Sequence, residues 1–296
     1  MPEYNKKSFN VLSSFILKII AILTMTVDHL GEALYMFSVI HYDAYLVFKS
    51  IGRIAMPLFC FMIVEGVIHT KSFGKYCLRL GTIGTSVLIA QIFMKYVMKE
   101  EIVQGNIFID LLLGALLVKA LMDKRIWIKL LAIIPLAIGI MCFYFDGYET
   151  FGGEIYAFPY YVRTQYGFLS ILLILGFYSS YLICHLILNN NGMNPELYKG
   201  TNVERLLVNT ISVAMIVIIY SLYYLLGIAL TNNPFPHFRV YWFVSLSNWA
   251  IVSGAFVLLY SGLRGYNGKW FKYGQYLYYP LHLLVLYGIM ILITGV

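Results

Sequence analysis

Apolar residues along this chain fall in long runs near twenty residues each, not in a two-residue alternation. Runs of that length predict transmembrane helices and exclude an outer-membrane barrel, whose strands alternate. They place nine spans at roughly 14–37, 45–69, 78–98, 107–122, 126–145, 163–188, 206–231, 241–263 and 273–294. The connections are short. The expectation is an all-α, polytopic helical membrane bundle of about nine transmembrane helices, with residues 1–296 forming a single integral-membrane domain. No internal repeat is visible, which counts against an inverted-repeat transporter. The longest polar stretch, Asn189 to Arg205, has Gly192 and Pro195 as breakers and reads as a connector.

Composition agrees with the pattern. Hydrophobic residues make up 60% of the chain and charged residues only 12%. A soluble domain carries about a quarter charged residues, so a water-soluble enzyme is excluded. The formal charge of +7 would suggest nucleic acid in a soluble protein, but here it reflects sidedness. With the N-terminus in the cytoplasm, fourteen of the 21 lysines and arginines fall on the inner side and four on the outer. Lys49, Arg53 and Lys119 lie within spans. That asymmetry predicts an N-inside, C-outside protein of the cytoplasmic membrane, with no nucleic-acid partner. Cys60, Cys77, Cys142 and Cys184 sit in or beside apolar segments without a CxxC pair, and read as small core hydrophobes. The first apolar stretch runs into Asp28-His29 without a small-x-small cleavage site, so it is expected to be a retained helix.

Ionisable groups inside a bilayer cost about 2.5–3.5 kcal/mol each, so each needs a partner or a task. Asp28, His29 and Glu32 occupy five residues of the first span, and their spacing puts at least two on one helix face. Counting from Ser14, His29 lies about 22 Å across, in the outer half. A histidine beside a carboxylate suits general-base work, because the carboxylate fixes the tautomer and raises basicity. The same trio could instead be a polar patch joining helices. In the second span Arg53 reaches a comparable depth, and its expected partner is Asp28 or Glu32. It serves as counter-ion, as oxyanion clamp, or as both.

Further inward, Glu65 and His69 are four apart. Two ligands without an identifiable third do not make a metal centre, so no metal is expected and Glu65 is placed at the inner mouth of a cavity. Asn106 and Asp110 start the fourth span, where capping competes with a role in the site. In the ninth, Tyr278-Tyr279-Pro280-Leu281-His282 joins a proline to a histidine near mid-depth, either packed or catalytic. The outer stretches from Phe151 to Tyr166 and from Asn232 to Trp242 are aromatic-rich, either an interface belt or the mouth of an acceptor site.

Three of these blocks together resemble the TraX family. Phe15-Ile-Leu-Lys18-Ile-Ile-Ala21 through Met25-Thr-Val-Asp28-His29-Leu-Gly31 is similar to its opening. Gly52-Arg53-Ile-Ala-Met-Pro57-Leu-Phe-Cys-Phe61 with Val64-Glu65-Gly66 resembles its second signature, and Tyr278-Tyr279-Pro280-Leu281-His282 its last helix. That family is named for a conjugative pilin acetylase and is grouped with integral-membrane acyltransferases such as heparan-α-glucosaminide N-acetyltransferase. The resemblance implies transfer of an acetyl group from cytoplasmic acetyl-CoA, as co-substrate, to an amine or hydroxyl acceptor at the outer face, such as a protein N-terminus. It implies catalytic roles for His29, Asp28 and Arg53, with His282 the alternative base. Glu32, Glu65, Asp110, Tyr279 and His282 are the candidates along the donor and substrate channel.

Phosphates of CoA need a cationic inner mouth. Candidates from the sequence are Lys71, Lys75, Arg79, Arg125 and Lys269, which equally serve as topology signals. Two other classes compete with the acyltransferase. A proton-coupled small-molecule transporter would line its pathway with Asp28, Glu32, Arg53 and Glu65. A structural assembly factor would show neither turnover nor flux.

Overall fold

The computed structural model describes residues 11–96, 105–149, 158–231 and 248–294. Among them the structure is helical, with one isolated parallel bridge between Leu12 and Tyr260. The long helices are α1 (Ser14–Met36), α2 (Tyr42–Gly52), α3 (Ala55–His69), α4 (Phe73–Tyr96) and α5 (Ile107–Met122). After the short α6 (Ile126–Leu130) come α7 (Ile133–Glu149), α8 (Phe168–Asn190), α9 (Pro195–Tyr198) and α10 (Asn202–Thr231). The short α11 (Ser253–Leu258) and the long α12 (Lys269–Thr294) complete the order.

Seven of these segments are long and apolar enough to cross a membrane, and they coincide with seven of the nine expected spans. The stretch 107–122 forms α5, a helix of 16 residues held in the middle of the bundle, with Leu111, Ala115, Leu117 and Val118 buried. Of the stretch 241–263, the part from 248 onward is a short 3-10 helix followed by α11, and the remainder lies outside the described residues. Also outside them are Lys6, Lys7, Lys99, Arg239, residues 151–157 of the first aromatic stretch and all of the second.

Three inner helices make the core. Leu58, Phe61 and Val64 of α3 pack with Leu111, Ala115 and Val118 of α5 and with Leu169, Leu173, Ile174 and Phe177 of α8. Phe61 meets the rings of Phe177 and Tyr260 edge-on, each at 5.4 Å. Apolar side chains on α7, α10 and α12 instead face outward, including Ile133, Leu222 and Leu292. Apolar residues both inside and outside suit a bilayer solvent, which leaves no apolar-in, polar-out contrast across the spans. Local signals set the ends. Ser13 caps α1 by accepting the Ile16 N–H, Asn106 caps α5 through Phe108, and Gly192 at φ +71° closes α8.

Candidate functional site

The expected second span is one segment of 28 residues broken in its middle. Helix α2 stops at Gly52 and α3 starts at Ala55, leaving Arg53 and Ile54 as a turn. Pro57 explains the break, because its ring crowds the carbonyl four residues earlier, that of Arg53. Gly52 explains the close approach of α2 to α1. A Cβ there would run into the Asp28 side chain, and one at Gly31 would run into Phe48. Small residues at both contacts let the two backbones approach closely.

That approach builds an ion cluster. Lys49 Nζ donates to Asp28 Oδ2 at 2.9 Å and to Glu32 Oε2 at 2.7 Å, with all three side chains largely buried. Lys49 thus bridges both carboxylates, a partner that the sequence reading, which paired them with Arg53, had not named. Lys49 sits one turn before the helix break and faces α1, whereas Arg53 falls in the turn itself. Arg53 lines the same cavity as the two carboxylates. Lys49 was readable in the sequence as the second cation of that span, one turn from Arg53 and opposite two acids.

His29 and His282 meet. His29 Nδ1 lies 2.8 Å from His282 Nε2, and His282 Nδ1 lies 2.9 Å from the Tyr278 carbonyl oxygen. A carbonyl only accepts, so His282 Nδ1 carries the hydrogen in that bond. In the neutral ring Nε2 then accepts from His29 Nδ1–H, which leaves the lone pair of His29 on Nε2. The two histidines, alternatives in the sequence, form one oriented chain. Tyr278 stacks flat on His282 at 5.0 Å, and its hydroxyl bonds Thr26 at 2.7 Å, fixing α12 against α1.

Two cavities abut at this point. The larger, about 510 Å³, runs from Ser14, Lys18, Arg79 and Arg264 at one end to Met25, Phe108 and Tyr278 at the other. The smaller, about 210 Å³, holds Asp28, His29, Glu32, Lys49, Arg53, Gln165 and Tyr166. Met25, Phe59, Ile107 and Tyr279 line both and so form the septum between them. One face of α1 runs through the whole arrangement, with Lys18, Ile22 and Met25 on the larger cavity and His29 and Glu32 on the smaller. Eleven residues of helix set Lys18 about 16 Å from His29 and nearly in line with it.

The other expected residues divide. Glu65 lines the larger cavity but is occupied: Arg205 Nη1 donates to its Oε1 at 2.9 Å, and the Tyr181 hydroxyl bonds the same oxygen. Arg205 also lies 5.0 Å from the centre of the Tyr260 ring. Nothing in the sequence joins Arg205 to Glu65, since they are 140 positions apart. Asp110 lines neither cavity. Its two oxygens accept the backbone N–H groups of Gln165 and Tyr166, at 2.6 and 3.2 Å, so it holds a wall of the smaller cavity in place instead of facing the channel. Tyr279 stands in the septum, its ring edge-on to those of His29 and His282.

Of the five cations expected at the phosphates, Arg79 lines the larger cavity. Lys71, Lys75, Arg125 and Lys269 are exposed and line neither cavity. Arg125 is folded onto Asp123 through side-chain and backbone hydrogen bonds, which hold that carboxyl down at about 2. Lys18 and Arg264 stand at the mouth in their place. Lys18 was detectable as the residue sharing a helix face with His29. Among the described residues no three His, Cys, Asp or Glu side chains converge as metal ligands.

Comparison with known proteins places the whole helical bundle in one family. The TraX protein family model matches residues 13–290. A curated relative, the probable fimbrial assembly protein FimC, serogroup H1, of Dichelobacter nodosus, is 31% identical over 144 residues, which cover 45% of this chain and 56% of the relative. The chain thus spans a little over half the length of that relative. No solved structure matches. With a match running from the Ser13 cap of α1 almost to the end of α12, the chain belongs to the TraX family.

Proposed function

We propose that the protein is a membrane-embedded acyltransferase that moves an acetyl group from acetyl-CoA to an amine acceptor at the opposite face. The observation that carries this reading is the His29–His282 pair beside the septum of two end-to-end cavities, one of them with a cationic mouth. Lys18, Arg79 and Arg264 suit the phosphates of CoA, and the apolar length of the larger cavity suits the thioester arm. The positive-inside asymmetry puts that mouth in the cytoplasm, with the N-terminus inside, the C-terminus outside and nine spans in the cytoplasmic membrane. The whole chain acts as one domain. Kinship with a fimbrial assembly protein suggests the N-terminal amine of an envelope protein as acceptor, with a hydroxyl acceptor the variant of the same chemistry.

The chemistry follows from the tautomers. His29 Nε2 removes a proton from the acceptor amine as its nitrogen attacks the thioester carbonyl carbon. His282 orients His29 through Nδ1 and stabilises the imidazolium formed. Arg53 and the start of α3, at the helix break, face the developing oxyanion. Collapse expels the CoA thiolate, which takes the proton from His29, leaving an amide and a free thiol. The Asp28–Lys49–Glu32 cluster fixes α1 against α2 and balances the charge near Arg53. No acyl-enzyme is required, and Cys60 is buried in the apolar core.

A calorimetric titration of the purified protein with acetyl-CoA tests the reading. Saturable binding that weakens in Lys18→Gln is expected. Absence of binding, with substrate flux in proteoliposomes lacking CoA, would instead establish the proton-coupled transporter, which uses the same charged cluster.

A further inference from the structure

We propose that the septum of Met25, Phe59, Ile107 and Tyr279 is a selector of acyl-chain length that restricts the donor to very short acyl groups. The inference rests on the acyltransfer reading and adds to it the class of donor accepted. The larger cavity is apolar along its inner length, with Ile22, Met62 and Leu111 in its walls. Beyond the septum the character changes at once: the smaller cavity is lined by Asp28, Glu32, Lys49, Arg53 and Gln165. Met25 stands one helical turn before His29 on the same face of α1, so the boundary lies one turn from the reacting atoms.

A thioester carbonyl presented to His29 therefore has to leave its acyl substituent in one of two places. In the smaller cavity it shares about 210 Å³ with the acceptor and with five charged or amide side chains. A methyl group displaces little from those groups. A longer alkyl tail would cover them without returning the hydrogen bonds it removes. Against the septum the tail meets bulky side chains: Met25 and Ile107 are buried, and Tyr279 is wedged between the rings of Phe108 and His29. Neither place accommodates a tail. Shortening Met25 or Phe59 would open apolar room on the donor side into which a tail could fold.

The test compares acetyl-CoA, butyryl-CoA and hexanoyl-CoA with a short peptide amine, using the full chain in lipid nanodiscs. Wild type is expected to use butyryl-CoA at least about ten-fold less well than acetyl-CoA in kcat/KM, and hexanoyl-CoA worse still. Met25→Ala and Phe59→Ala should each raise the butyryl-to-acetyl ratio about ten-fold or more. Met25→Val and Phe59→Leu, which remove less volume, provide the same readout with smaller shifts should an alanine variant not fold. A ratio that stays unchanged in variants active on acetyl-CoA, or a wild type indifferent to chain length, would overturn the selector and leave acyl transfer standing. A wild type that neither binds nor consumes any of the three thioesters would overturn the acyltransfer reading, and the selector with it.

Discussion

His29 on α1 and His282 on α12 lie 253 positions apart and share a single hydrogen bond of 2.8 Å between Nδ1 and Nε2. Because the Tyr278 carbonyl fixes the hydrogen of His282 on Nδ1, the bond has a direction: His29 donates and His282 accepts. In the proposed acyl transfer, that direction makes His29 the base and His282 the group that orients it.

His29→Ala should remove transfer by about 10³-fold or more while leaving acetyl-CoA binding and melting temperature near wild type. His282→Ala should cost about 10²-fold in kcat. His282→Gln, whose amide oxygen can still accept from His29 Nδ1–H, should recover at least about ten-fold over the alanine variant. Single-turnover kinetics check the order, and a fully active His29→Ala would show that the assignment is reversed.

Lys49→Met should be among the most destabilising single changes. It leaves Asp28 and Glu32 as neighbouring, largely buried carboxylates without their shared cation, at a cost of about 3–5 kcal/mol. Replacing one acid as well, in Lys49→Met with Glu32→Gln, should return part of the loss. Thermal unfolding in detergent measures both, and equal melting temperatures for wild type and Lys49→Met would show that the ion cluster contributes nothing.

Gly52→Ala tests the α1–α2 contact. The added methyl meets the Asp28 side chain, so something must shift, at about 1–3 kcal/mol. Activity should fall further than stability, because Asp28 is displaced beside His29. A variant with normal activity and reduced stability would separate the packing role from the site.

Glu65 and Arg205 should behave as a unit. Glu65→Gln and Arg205→Met each leave an uncompensated buried group, and the double variant should be less destabilised than the sum by about 1–3 kcal/mol. Additive losses in a double-mutant cycle would refute the coupling.

Much of the fold was legible because the bilayer imposes a simple rule. Runs near twenty apolar residues gave seven segments that the structure also contains, to within a few residues at most ends. Helix α5 is the shorter case: its 16 residues are as apolar as a span, and many of them are buried against α3 and α8. At the site, residues on one helix were readable by spacing: Asp28, His29 and Glu32 fall within a turn of one another. Partners across helices were not. Lys49 and Arg53 are four apart in the same span, and the bridge from Lys49 to both acids is visible only once α1 and α2 are packed together. Arg205 looked like a loop cation, yet it lies in the first turn of α10, buried against Glu65 of α3. For the basic residues, loop position marks topology: of the five sequence candidates Arg79 lines the cavity mouth, where Lys18 and Arg264 join it.

The most direct measurement is transfer of labelled acetyl from acetyl-CoA to the N-terminal amine of a peptide by the purified protein in nanodiscs, run beside His29→Ala. Acyl transfer through His29 predicts amide-linked label and stoichiometric free CoA for wild type, and bound donor without transfer for the variant. Donor hydrolysis or transfer that is equal in the two proteins, or no transfer by wild type to any amine or hydroxyl acceptor, would contradict it.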